Sequence, residues 1–217
     1  MLPVVNRFKT GLLGRRRVVL KLSVVALAAS LLLGCERAPE APKLAFQATD
    51  VTGSTIGGDF QLTDHHGQPR RLSDYRGKIV VMFFGYTHCP DVCPTTMIEL
   101  KKVMTKLGAA AKDIQVLFVT VDPERDTPEV LKQYVPAFHS SFIGLYGTPA
   151  QLTEVTRAFK IVAQKSPTEG GGYTMDHSAG TYLFDREGNI RVFVNYGAGA
   201  AVFENDLRQL LKVNSVR

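Results

Sequence analysis

Residues 79–84 form an unbroken apolar run, from Ile79 to Phe84, bounded by Gly77 and Gly85, and residues 114–121 form a second, mostly apolar one. Runs of this length show almost no polar residue to water, so each reads as a strand covered on both faces, the condition of a parallel sheet flanked by helices. The intervening segments supply the helices. Met97, Ile98, Leu100, Val103, Met104 and Leu107 recur at helical spacing up to Gly108. Thr127 and Pro128 cap and open a second helix, and Thr148, Pro149 and Gln151 carry a capping-box signature for a third. Residues 142–146 are short and strand-like. Two hairpins are expected, one around the turn at 64–69 and one around 185–189, and a helix over 201–213 closes the chain. The expected fold class is α/β, a mixed central sheet with helices on both faces and an N-terminal β-hairpin. Ligands of such sheets sit at the carboxyl ends of the parallel strands, here residues 85–93.

The formal charge is +6, from 26 basic and 20 acidic residues. Six of the basic residues and none of the acidic ones lie in residues 1–34, which leaves 20 of each in the remainder. A neutral body carries no electrostatic footprint for a phosphate backbone, which excludes a nucleic-acid binder. The cations precede an apolar run over 22–33, about 12 residues against the roughly 20 that span a bilayer, so residues 1–34 read as a signal peptide. The segment ends in Leu32-Leu33-Gly34-Cys35, which resembles the lipobox of bacterial lipoproteins, where the cysteine is lipidated and becomes the first residue. The alternatives are an uncleaved anchor over 18–33 and, from Arg16 and Arg17, export by the twin-arginine route. All of them place the body on the outer, periplasmic side of the bacterial cytoplasmic membrane. Residues 35–50, rich in Ala, Pro and Glu at their start, read as an extended tether, and residues 51–217 as the folded domain.

Besides Cys35 the chain has Cys89 and Cys93, in Tyr86-Thr87-His88-Cys89-Pro90-Asp91-Val92-Cys93-Pro94. A structural disulfide is the ordinary reading outside the cytoplasm, but a bridge across so small a loop constrains the unfolded chain little. The pair also lies where a buried strand gives way to a helix, where free N–H groups favour thiolates. A C-x-x-x-C spacing on a forming helical turn puts both sulfurs on one face, able to grip one soft ion. Zinc and iron–sulfur centres generally want four protein ligands; Cu(I) accepts two thiolates, and Cu(II) adds imidazole. Among five histidines, His65 and His66 read as exposed turn residues, His139 as a helix-end residue, and His88 projects away from its neighbour Cys89. His177 is the better candidate, after the glycine-rich stretch 166–172 and just ahead of a strand. The loop over 122–126 reads as cap and turn chemistry.

The Tyr86-to-Pro94 motif, Val121-Asp122-Pro123-Glu124-Arg125-Asp126-Thr127-Pro128 and Asp176-His177 together resemble the SCO/SenC proteins, thioredoxin-fold copper chaperones for cytochrome c oxidase assembly. The resemblance implies a thioredoxin-like domain, not an enzyme, in which Cys89, Cys93 and His177 bind one copper ion. The copper, as Cu(I) or Cu(II), would pass to the dinuclear copper site on a copper-accepting oxidase subunit. It further implies an alternative, a thiol-disulfide reductase in which Cys89 and Cys93 cycle through a disulfide to keep that subunit's cysteines reduced. A copper-dependent redox sensor would use the same ligands. A thiol peroxidase lacks support, because no P-x-x-x-T-x-x-C pattern precedes either cysteine.

Overall fold

A computed structural model describes residues 44–213 of the chain. Ten strands and four α-helices follow one another as β1 (Thr49–Asp50), β2 (Leu62–Asp64), β3 (Pro69–Arg70), β4 (Ile79–Gly85), α1 (Val92–Leu107), β5 (Ile114–Thr120), α2 (Pro128–Phe138), β6 (Ile143–Tyr146), α3 (Pro149–Ala158), β7 (Ala163–Pro167), β8 (Tyr173–His177), β9 (Thr181–Phe184), β10 (Ile190–Val194) and α4 (Ala200–Lys212). Eight strands form one sheet in the order β1-β10-β9-β4-β5-β6-β2-β3. The two apolar runs are its centre: β4 and β5 pair in parallel, Ile79 with Ile114 through to Gly85 with Thr120, and every residue of both is buried. β6 continues the parallel set, while β9 and β2 join antiparallel. This mixed sheet with flanking helices is a thioredoxin-like α/β fold, with the expected N-terminal hairpin in β2 and β3.

Alternation along β4 sorts its two aromatic residues to opposite faces. Phe83 meets Phe118 of β5, whose ring lies 5.8 Å from Tyr134 of α2. On that face α1 packs against α4 along its length. Phe84 faces the other way, toward Phe159 just after α3 and Tyr182 of β9. The helix caps follow the sequence: Thr127 accepts a hydrogen bond from Val130 N–H, and Thr148 and Gln151 close a capping box. No helix among the described residues is long and apolar enough to cross a membrane.

The structure departs from the sequence expectations in two places and adds to a third. The glycine-rich stretch 166–172 and His177, expected just ahead of a strand, lie in a hairpin of β7 and β8 that pairs only with itself. Its residues are mostly exposed or half-buried, so no apolar alternation marks it in the sequence. His65, expected at the surface, is buried at 4% exposure because β6 packs over it and Gly144 N–H donates to its Nδ1 at 2.9 Å. Residues 44–50, the end of the expected tether, are held by the domain: Gln47 and Ala48 donate their N–H groups to the buried Asp206 of α4 at 2.7 and 3.0 Å, and β1 pairs with β10. Residues 1–34 and Cys35 lie outside the described residues.

Candidate metal centre

β4 ends at Gly85, and the loop that follows turns back at once, Cys89 N–H donating to the Tyr86 carbonyl, before α1 begins. This places Cys89 in the approach to the helix and Cys93 in its first turn. A first-turn N–H has no carbonyl partner within its own helix, and that of Cys93 points at the Cys89 sulfur, 3.5 Å away. Gly85 leaves room for the second sulfur. A Cβ there would stand 2.9 Å from Cys93 Sγ and 2.8 Å from the Phe83 ring.

From the far side β8 brings His177. Its ring packs edge-on to Tyr86 and Phe83, with centroids at 5.7 and 6.5 Å, and its Nε2 lies 3.6 Å from Cys93 Sγ. Nδ1 faces the Ser178 carbonyl at 3.0 Å. A carbonyl only accepts, so Nδ1 carries the proton and Nε2 presents its lone pair to the sulfurs. The ligating atoms of Cys89, Cys93 and His177 all lie within 4.8 Å of one another. Bonds of about 2.0–2.3 Å from one ion to three donors need separations of roughly 3.5–4 Å, so this set closes on a metal with small movements. It is the only such group of His, Cys, Asp and Glu among the described residues.

Burial sets the electrostatics. It pushes the Cys93 thiol well above its ordinary range, a tendency that Cys89 reinforces and the Tyr86 backbone opposes. The helix N-terminus, which the sequence reading takes to favour thiolate, is outweighed at Cys93 by the loss of water. Burial also lowers the His177 imidazole, against the opposing pull of Ser178 and Asp176, and so keeps it neutral. A soft cation supplies what the apolar pocket lacks, positive charge next to sulfur, and its entry releases the thiol proton.

The SCO1/SenC family profile matches residues 48–212. The chain belongs to the SCO1/SenC family. The SCO2-like protein of Rickettsia felis is 37% identical over 176 residues, which span 79% of this chain and 85% of that protein. The mitochondrial SCO2 homolog of Bos taurus is 40% identical over 155 residues, 70% of this chain and 58% of that one. Among solved structures, ScoI of Bradyrhizobium japonicum with copper bound is 42% identical and covers 71% of this chain and 99% of its own, at a TM-score of 0.66. Yeast Sco1 with copper bound is 30% identical, covers 74% and 91%, and scores 0.68.

In this SCO1/SenC chain His88 stays out of the centre. Its side chain is half-exposed, and its Nδ1 sits 3.1 Å from Thr87 Oγ1 and 3.9 Å from the Asp126 carboxylate. The supports behind the loop carry no distinct mark in the sequence. Asp126, 1% exposed, accepts from Thr87 N–H, from Thr87 Oγ1 at 2.6 Å and from Thr120 Oγ1 at 2.6 Å, and burial raises its carboxyl above the usual range. Asp122, also 1% exposed, binds Tyr173 and Arg125. The signal available in the sequence was the pair of carboxylates at the carboxyl end of β5, which is also ordinary cap chemistry.

Proposed function

We propose that this SCO1/SenC chain is a copper chaperone: it binds one copper ion through Cys89, Cys93 and His177 and delivers it to the dinuclear copper site of a cytochrome c oxidase subunit. The observation that carries the reading is the convergence of two sulfurs and an unprotonated imidazole nitrogen within 4.8 Å. The two thiolates are the donors that soft Cu(I) selects, and the imidazole adds the nitrogen that Cu(II) prefers. Cys93 is buried while Cys89 and His177 are only partly so, which leaves one edge of the centre accessible to an acceptor, as a cargo site requires. The chain acts from the outer face of the bacterial cytoplasmic membrane, held by a lipid on Cys35 or by an uncleaved N-terminal anchor. A thiol-disulfide reductase is the second reading, supported by the proximity of the Cys89 and Cys93 sulfurs, within 4.8 Å of each other.

The test is copper uptake by the reduced full-length protein, beside insulin reduction and transfer to a copper-free acceptor subunit. One copper per chain is expected, with Cys89→Ser and Cys93→Ser each losing most of it, because a single thiolate cannot replace a chelating pair. His177→Ala keeps Cu(I) but loses stable Cu(II): the two thiolates of one chain give one electron to each of two Cu(II) ions, leaving a Cys89–Cys93 disulfide and two Cu(I). Unchanged stoichiometry in both serine variants removes the site. Insulin reduction without copper transfer selects the reductase.

A further inference from the structure

The β7–β8 hairpin that carries His177 has no ladder to the eight-stranded sheet, so something else must hold the imidazole at the sulfurs. At its base the hairpin is closed by Ser178 N–H to the Val162 carbonyl and Val162 N–H to Ser178 Oγ. These bonds join it to itself. Besides the His177 contact with Cys93 and a bond between Tyr86 and the Met175 backbone, the bonds that leave it run to the loop between β5 and α2. Tyr173, the first residue of β8, donates its hydroxyl to Asp122 Oδ1 at 2.8 Å. Its carbonyl accepts from Arg125 Nη1 at 2.9 Å. The Arg125 guanidinium lies 3.8 Å over the Tyr173 ring and 5.7 Å from that of Tyr86, and its Nε donates to Asp122 Oδ2. The remaining nitrogen, Nη2, is buried with no hydrogen-bond acceptor, a cost that the cation–π contacts with the two rings offset. Lys165 of β7 adds an ion pair to Glu124 of the same loop.

That loop is closed by hydrogen bonds of its own. Asp126 N–H donates to the Asp122 carbonyl at 2.9 Å, and the Asp126 carboxylate holds Thr87, two residues before Cys89. One short loop therefore grips both walls of the centre, the cysteine wall through Asp126 and the histidine wall through Asp122. We propose that Asp122, Arg125 and Tyr173 are positioning residues that set the distance between His177 Nε2 and the two sulfurs, an inference that rests on the copper reading of the centre. The cysteine segment has ties of its own, from the Asp126 carboxylate to Thr87 and from α1.

The test uses the full-length reduced protein in mild detergent, with Tyr173→Phe, which keeps the ring and removes the hydroxyl, and Arg125→Met, which keeps the stem and removes the guanidinium. In the metal-free state, amide exchange over 173–177 is expected to quicken about tenfold or more in each variant, with β4 and β5 unchanged, since a lost hydrogen bond to a charged group is of that order. After one equivalent of Cu(II), the thiolate-to-copper charge-transfer band is expected to decay at least about tenfold faster than in the wild type, while Cu(I) stoichiometry stays at one. Faster exchange with a wild-type band lifetime overturns the proposal, because the hairpin then moves without moving the ligand. Wild-type exchange in both variants overturns it as well. A wild-type protein that takes up no copper defeats the copper reading instead, and the exchange rates alone then decide whether the clamp holds the hairpin.

Discussion

His65 is buried and His177 partly buried, and the loss of water lowers both imidazoles. His177 donates through Nδ1, whereas His65 accepts through Nδ1 from Gly144 N–H. Burial lowers the His65 value first of all, helped by His66 and Lys132 and opposed by Asp64. A base whose folded value lies below its unfolded one, about 6.5, contributes stability that is present above that pH and lost as pH falls toward the folded value. His65→Asn keeps an acceptor where Nδ1 stood and removes the titration. Urea midpoints of the metal-free protein at pH 7.5 and 5.5 are expected to differ less in this variant than in the wild type, and an equal difference would remove His65 from the pH dependence. The sequence could not announce this histidine. A His-His-Gly turn looks exposed, and its burial depends on Gly144, 79 residues away.

At the scale of elements, the junction of β4 and α1 is the most legible part of the chain, because each of its signals is local: an apolar run, a glycine, two cysteines one helical turn apart and a helical repeat. Its fit is also the tightest. A methyl at Gly85 meets Phe83, Cys93 Sγ and the Phe118 ring at 2.8, 2.9 and 3.0 Å, all buried groups with nowhere to go. Gly85→Ala is expected to cost about 1–3 kcal/mol by overpacking and to weaken copper uptake by displacing the Cys93 sulfur. Thermal unfolding together with copper titration checks both, and a variant with wild-type values in each would show that the strand end can yield. The β7–β8 hairpin is the least legible element. It buries only Met175 well, and its attachments to Asp122 and Arg125 span about fifty residues, so neither periodicity nor spacing records them.

For the molecule as a whole, one carboxylate ties the residues just ahead of β1 to α4. Asp206, fully buried, takes the N–H groups of Gln47 and Ala48 and the amide of Asn205. Asp206→Ala leaves those donors unpaired, and a loss of about 1–3 kcal/mol is expected, with new protease cleavage near Phe46. Urea unfolding and timed proteolysis measure the two effects, and an uncut Phe46 region would mean that β1 alone secures the segment. The same sheet ends at both sides in two-residue strands, β1 and β3, the second of which begins with Pro69, a residue without an N–H to offer. Long bare sheet borders can zip onto other chains backbone to backbone, and such capture is hard to reverse. Borders this short deny it a template, so encounters at the loop end of the sheet can stay brief.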